Sequence, residues 1–436
     1  MKINIRRFGL WLLVIATIVP SFWFISGKKI LNLLFYIIMT LFLMQTLLGS
    51  GRLEKMKYDT AGVYILSLIL YSLQAFLDAG ATTAINSVAS TAMVVIIVSK
   101  NVKNEIDFSK IIDGLLYVSC PLLLFGIIEA AFGQNVFQQS ALTLPEATFY
   151  SETRLGIVRV SSVFGHPIVY CNYLSIVAAL CFYRLSCETS GKKRRSFEFI
   201  YIMTFLNVLL TVSRSVMLVF LAEQLILLAM KGERWLTKRK IIFFMLIIVG
   251  ALISDFLGLG ILDKVSDIIN MILQVFGLGS DSYSSSFSSM GYSGVTGDRW
   301  NLYLWVMLSM AGNWLFGRGT TTAFSYMATE YREKTAIENF YLSTLYHHGI
   351  VGLVVLIIGL IGLVYYLVMK LRRNARLDKK IAGENRITFN AVMLCILTSE
   401  IVSYFMVDQA GEARLLYICI GLAIAYNRFV LLKTVE

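Results

Sequence analysis

Predominantly apolar runs of about twenty residues recur from one end of the chain to the other, and no other feature limits its folding as much. A hydrocarbon core about 30 Å thick is crossed by about 20 helical residues. Backbone amides inside it must bond within their own segment, so runs of this length are read as helices. Twelve qualify, near 8–26, 30–48, 61–79, 85–99, 111–132, 166–183, 198–212, 214–230, 241–258, 352–370, 387–406 and 415–432. The expected fold is therefore all-α: a polytopic integral membrane protein of about 12 transmembrane helices, forming a single membrane domain over 1–436. A composition that is 57 % hydrophobic and only 15 % charged excludes a soluble globular chain. The first run is followed at once by a second and by no small-residue cleavage site, so it is read as a retained span rather than a cleaved leader.

Lysine and arginine gather in alternate loops: before the first span, in GSGRLEKMKYD, across 100–110, in ETSGKKRRS, in KGERWLTKRK and in RRNARLDKKIAGENR. With those loops on the cytoplasmic side, both termini are expected in the cytoplasm. Basic loops beside anionic lipid account for most of the +12 net charge, so no nucleic-acid partner is implied. Cys120, Cys171, Cys181, Cys395 and Cys419 fall within spans and Cys187 in an inner loop. Neither a disulfide nor a CxxC metal pair follows.

Two segments on the outer side are long, 133–165 and 259–349, the second lying before the tenth span. Loops of that length are commonly functional. The inner loops are far too short for a nucleotide-binding domain of about 100 residues. Chemistry is therefore expected on the outer side, with a donor activated beforehand, and a lipid-linked diphosphate is the natural carrier. The run 197–230 would make a helix of about 50 Å, too long for one crossing. Thr211, Ser213, Arg214 and Ser215 interrupt it, so two short spans with Arg214 at their outer turn fit better.

Arginine suits a diphosphate because its planar fork binds phosphate oxygens in pairs and stays charged. Arg159, Arg214 and Arg299 each stand at an outer boundary; interfacial anchoring of a long side chain is the plainer role for each. Asp298 reads as the N-cap of a helix over 299–311, whose Trp300, Leu304, Met307, Leu308 and Ala311 form one apolar stripe suited to the interface. Glu338 is the candidate base, since a carboxylate at an apolar boundary suits proton removal from an acceptor hydroxyl; the alternative is a helix-start carboxylate beside the dipole. His347 and His348 follow about 14 Å farther along a straight helix, where packing or hydrogen bonding suits them better than sharing a proton with Glu338. His166 stands at the start of the sixth span. The segment GSDSYSSSFSSMGYSGVTG supplies Tyr283 and Tyr292 for stacking on sugar rings. With no DxD pair in the outer loops and only the weak pair Asp263 and Asp267, the chemistry is expected to need neither metal nor cofactor. A transporter would instead use ionisable groups inside the membrane, and Glu223 and Glu400 are its candidates.

Glu338-Asn339, nine residues, then Gly349-Ile350-Val351-Gly352 resembles the signature of the O-antigen ligase and polysaccharide polymerase family, in which His followed by Asn, Ser or Gln precedes GxxG at that spacing. TVSRS around Arg214 resembles that family's Thr-x-Ser-Arg turn. RVSSVFGHPIVYCNYL resembles its arginine-bearing approach to a middle span, and GDRW with LFGRG, which carries Arg318, resembles the lead into the signature. The resemblance covers 159–371. It implies a GT-C-like membrane glycosyltransferase at the outer face of the bacterial cytoplasmic membrane, taking glycan from undecaprenyl diphosphate to build O-antigen, capsule or exopolysaccharide. A flippase and a chain-length regulator are the partners it implies. By position Arg159, Arg214 and Arg299 would match diphosphate-contacting arginines; Arg318, Asn339, His166, His347 and His348 are further candidates for substrate binding in this sequence. Glu338 stands where the family has histidine. That departure points from ligation towards polymerisation, because the ligase signature depends on the histidine.

Overall fold

Helices carry the described chain, as amides confined to hydrocarbon require. The computed structural model describes residues 5–16, 60–135, 153–154, 157–188, 191–231, 295–329, 332–334, 337–382, 387–405 and 414–432, in part by backbone alone, as at Arg214 and over 295–301, which includes Asp298, Arg299 and Trp300. The second and ninth expected spans, Tyr283, Tyr292, Asp263 and Asp267 lie outside the described residues. In chain order the helices are α1 (Ile5–Ala16), α2 (Thr60–Ala79), α3 (Ala81–Ser90), α4 (Ala92–Asn101), α5 (Glu105–Phe132), α6 (Pro167–Cys187), α7 (Gly191–Leu210), α8 (Arg214–Lys231), α9 (Val295–Ser309), α10 (Phe340–Ala382), α11 (Phe389–Ser403) and α12 (Arg414–Leu432). Among the described residues strand is confined to two short antiparallel hairpins, β1 (Thr153–Arg154) with β2 (Ile157–Val158), and β3 (Tyr326–Thr329) with β4 (Arg332–Lys334). Both hairpins fall in the two long segments between spans.

Three described helices are long and apolar enough to cross a membrane, Glu105–Phe132, Pro167–Cys187 and Phe340–Arg373, and shorter apolar helices accompany them. This is a membrane protein. Its apolar surface says the same: Leu66, Leu70 and Leu73 of α2 and Ile357, Ile358 and Ile361 of α10 are exposed, as lipid-facing side chains are. Inside, Phe108, Tyr183, Phe389, Tyr426 and Phe429 pack edge to face and tilted against one another, joining α5, α6, α11 and α12 near one end. At that end Arg184 pairs with Asp113 at 2.6 Å, and Arg428 donates to the Val102 carbonyl at 2.7 Å. The other end carries Gly133, where α5 stops, and the turn 211–213, and is called the loop end below.

Local chemistry sets the boundaries. α5 starts six residues before its apolar run because Asn104 caps it, Oδ1 accepting from Asp107 N at 2.8 Å, with Glu105 and Asp107 in the first turn beside the positive end of the dipole. It stops at Gly133, whose φ of 67° is left-handed. The expected single span at 85–99 is instead two helices, α3 and α4, divided at Thr91. Thr91 Oγ1 donates back to the Ser87 carbonyl at 2.7 Å, a local bond that competes with the helix ladder. The run 197–230 divides into α7 and α8 around 211–213, where the polar interruption and helix length predict a turn.

α10 runs antiparallel to α2 in close contact. Gly359 admits Ser67, whose hydroxyl occupies the place of a Cβ, and Gly352 does the same for Gln74 and His348. Gly421 of α12 likewise rests against Val95 and Val98 of α4.

Candidate active site

Where α7 ends, its last carbonyls have no helical partner. Arg159 supplies donors. It is 2 % exposed, and a guanidinium so enclosed needs acceptors. Its Nε donates to the Thr211 carbonyl at 3.2 Å and its Nη2 to Ser213 Oγ at 2.9 Å, while Val160 N donates to the Leu210 carbonyl at 3.1 Å. A positive charge at the negative end of the α7 dipole adds to the bond energy. Val212 takes a left-handed φ of 46°, which turns the chain. Ser213 then accepts Met217 N as the first bond of α8, and Arg214 is the first residue of that helix. Arg159 thus grips the turn one residue before Arg214, 54 positions away.

The backbone after Arg159 is held by a group that the sequence did not single out. Glu129, buried in the last turn of α5, turns its carboxylate onto the chain at Ser161 and Ser162. It accepts Ser161 N at 3.2 and 3.1 Å, Ser161 Oγ at 3.2 Å and Ser162 N at 2.7 Å. Asn135 Nδ2 donates to Ser161 Oγ at 3.1 Å and to the Ser162 carbonyl at 2.8 Å. Ser162 Oγ and Tyr170 Oη donate to the Leu122 carbonyl, and Asn207 Nδ2 to that of Leu123. Asn207 reaches there because Gly126 has no side chain to meet its Oδ1. His166 caps α6, its Nδ1 accepting Ile168 N at 3.3 Å, with Pro167 at the first helical position. Its ring is half-buried.

A second group forms at the start of α10. Asn339 is buried and is the helix cap, Oδ1 accepting Leu342 N at 3.0 Å. Its Nδ2 donates to the Phe405 carbonyl at 3.1 Å and lies 3.5 Å from Tyr303 Oη of α9. Phe340 N donates to the Tyr404 carbonyl at 2.9 Å and Tyr341 Oη to that of Ile401 at 3.0 Å, so α10 begins against the end of α11. Glu338 precedes this cap and is exposed, with its neighbour Ile337 buried.

The glycine pair of the signature sits at a break. Gly349 has φ 66° and ψ −167°, a conformation that other residues rarely take. The polar groups released there are bonded by the strap 313–319. Ile350 N donates to the Trp314 carbonyl at 2.8 Å and Val351 N to that of Leu315 at 3.1 Å. Arg318 N donates to the Tyr346 carbonyl at 2.8 Å and Gly319 N to that of His347 at 3.1 Å. Gln74 Nε2 of α2 supplies the remaining donor, to the His348 carbonyl at 2.5 Å. His347 Nδ1 lies 2.9 Å from the Gly319 carbonyl, which fixes that nitrogen as the protonated one. The Arg318 side chain is exposed. His348 is buried, its ring 4.2 Å from that of Tyr71. His348 Nδ1 and Thr344 Oγ1, one helical turn apart, are buried without a hydrogen-bond partner among the described residues. Thr344 was not singled out by its sequence context, which is apolar and helical.

Helix α9 begins at Val295, so Asp298 lies inside its first turn rather than at its cap. Leu302, Val306 and Met310 face the protein, packing with Phe324, Ile337, Leu345 and Tyr346. Leu304, Met307 and Leu308, part of the expected interfacial stripe, are exposed on the opposite side. Glu223 and Glu400 are buried in α8 and α11. Ser175 Oγ donates to Glu223 Oε2, and Glu400 lies within electrostatic reach of Glu223.

The expected site residues thus fall into two groups at the loop end. Arg159, His166 and the turn before Arg214 make one; Glu338, Asn339, Arg318, His347 and His348 make the other, with α9 carrying Arg299 behind Asn339. Helix α11 packs against α6 and α8 on one hand and α10 on the other. Among the described residues no three His, Cys, Asp or Glu side chains are grouped to hold a metal ion.

Residues 199–357 match the family model described as O-antigen ligase, the family whose motifs the chain resembles. The match takes in Arg214, Arg299, Arg318 and the whole of 338–352; Arg159, His166 and Glu129 lie before it. A comparison of the chain with curated proteins gives no match.

Proposed function

We propose, from the match of residues 199–357 to the O-antigen ligase family, that the protein is a membrane glycosyltransferase that polymerises oligosaccharide repeat units carried on undecaprenyl diphosphate. In this reading about twelve spans adopt a GT-C-like arrangement in the bacterial cytoplasmic membrane, with both termini in the cytoplasm and the loop end facing outward. The observation that carries the reading is the coincidence of the family match with the broken helix at Gly349: the Glu-Asn pair and the GxxG belong to one built feature, braced by the strap that carries Arg318.

Glu338 is exposed just before the cap of α10, where an incoming sugar can approach it. Its carboxylate takes the proton of the acceptor hydroxyl as the hydroxyl oxygen attacks the anomeric carbon of the donor. The bond from that carbon to the diphosphate oxygen breaks, and its electron pair stays with the diphosphate. Arg214 and Arg299 stabilise the charge that develops there, and the N-terminus of α8 adds its dipole beneath Arg214. Arg159, being buried, serves by holding the turn that presents Arg214 rather than by touching the lipid. His347 is engaged by the strap, and His348, being buried, supports the broken helix from within. The growing chain passes from its lipid to the next lipid-linked unit, brought across by a flippase and limited by a chain-length regulator.

Glycan length tests this. Arg214→Ala or Glu338→Ala, expressed at the normal level in cells lacking the native gene, is expected to leave single repeat units where the wild type makes long chains. Long chains from either variant would reject the assignment. Loss of attachment to an acceptor with chain length preserved would mark a ligase instead.

A further inference from the structure

Two successive backbone N–H groups, those of Ser161 and Ser162, converge on one point. Ser161 has φ −125° and ψ −11°, and Ser162 takes a left-handed φ of 49°. Alternation of that kind forms a backbone nest, a concavity that binds anions. Here the anion is internal. The Glu129 carboxylate fills the nest, adds the Ser161 hydroxyl as a third donor, and is flanked by Asn135, which bonds both serines.

The nest begins two residues after Arg159, and Val160 between them is bonded to the end of α7. A rigid link therefore runs from Glu129 through Ser161 to Arg159, across the guanidinium to Thr211 and Ser213, and so to the first residue of α8. Each joint is a hydrogen bond buried among apolar helices, where a lost partner is costly. The link is longer than helix packing needs: α5 and α7 are already joined by Asn207 at Leu123.

We propose that Glu129 is a positioning residue for the arginine site, its carboxylate setting the nest at Ser161 and Ser162 and thereby the Arg159 brace that orients Arg214 towards a lipid diphosphate. The proposal rests on the reading of Arg214 as a diphosphate ligand. A glutamine is nearly the same size but offers one acceptor oxygen in place of two and turns an NH2 towards a backbone donor. Glu129→Gln therefore loosens the nest without opening a cavity.

The test is a double-variant cycle on the purified full-length protein in lipid nanodiscs, with undecaprenyl diphosphate as the probe and melting temperature as the control for folding. Glu129→Gln and Arg214→Ala are each expected to weaken binding by about tenfold, and the double variant by no more than about twofold beyond Arg214→Ala, because residues acting through one contact do not add. Asn135→Ala, which leaves the carboxylate in place, is expected to weaken binding severalfold, again without effect once Arg214 is gone; it replaces Glu129→Gln in the cycle should that variant melt early. Unchanged binding in Arg214→Ala would overturn the diphosphate reading itself. Weakened binding in Arg214→Ala with Glu129→Gln and Asn135→Ala both at wild-type affinity would overturn the positioning role alone. Full additivity in the double variant would also overturn it, since Glu129 would then act without Arg214.

Discussion

Gly317 and Gly349 lie backbone against backbone. A Cβ placed on Gly317 would collide with the His347 carbonyl and Gly349 N, and one placed on Gly349 with the Leu315 carbonyl and Gly317 N. The strap 313–319 can bond the broken helix because neither residue has a side chain. Both also have positive φ, 77° and 66°, so two separate penalties meet any substitution.

Gly349→Ala and Gly317→Ala are each expected to lose stability by about 3 kcal/mol, combining backbone strain with separation of the strap from the helix. Thermal unfolding in detergent measures this. Gly312→Ala is the comparison: it shares the positive φ, 82°, but has open space around it, and should lose about 1 kcal/mol.

Glu338 and Asn339 are adjacent and should separate in assay. Glu338→Gln touches an exposed side chain, so melting should stay unchanged while chain extension falls by about a hundredfold, in the range for losing a general base. Asn339→Ala removes a cap and the bond to Phe405, and should destabilise by about 2 kcal/mol. A Glu338→Gln enzyme that extends glycan at the normal rate would remove this residue from the mechanism.

Arg159→Ala leaves the Thr211 carbonyl and the Ser213 hydroxyl without their charged donor, an expected loss of about 2 kcal/mol. Arg159→Lys should recover only part of it, since one ammonium cannot reproduce the fork that meets both acceptors. Glycan length should track the same order, wild type above lysine above alanine. Equal lengths in all three would show that the brace is dispensable.

Glu223→Gln and Glu400→Gln test the transporter alternative. Each replaces a buried carboxylate by a neutral side chain of equal size, so melting should hold or rise. Chain length is expected to stay as in the wild type. A shortened product from a well-folded variant would shift the chemistry towards these interior carboxylates, and proton- or sodium-coupled uptake into vesicles would then be the assay to run.

The sequence made the helix-to-helix turn before Arg214 legible, because apolar length and a polar interruption are local properties. The signature was legible too: nine residues separate Asn339 from Gly349, and the structure breaks the helix at that glycine. What escaped was every link that joins distant segments. Glu129 sits in a run of apolar residues with no neighbour to suggest that Ser161 and Ser162 would fold onto it. Gln74 looks like an ordinary helical glutamine, and its carbonyl partner is 274 positions away. The charge and boundary position of Arg159 say arginine at an interface; its burial against the α7 terminus depends on how the chain returns after α5. Thr91 divided an expected span for a reason that is local, a hydroxyl returning to its own backbone, but one that a hydropathy window averages away.

The carbonyls of Leu122 and Leu123, on one helix, receive donors from Ser162, Tyr170 and Asn207, which belong to three other pieces of chain. No water stands by in hydrocarbon to replace a bond that is lost, so separating any of these pieces gives up a buried hydrogen bond at about 1 kcal/mol each. Helices α5, α6 and α7 are riveted there. Any shift of one of the three against the others would have to break bonds at that one turn of α5.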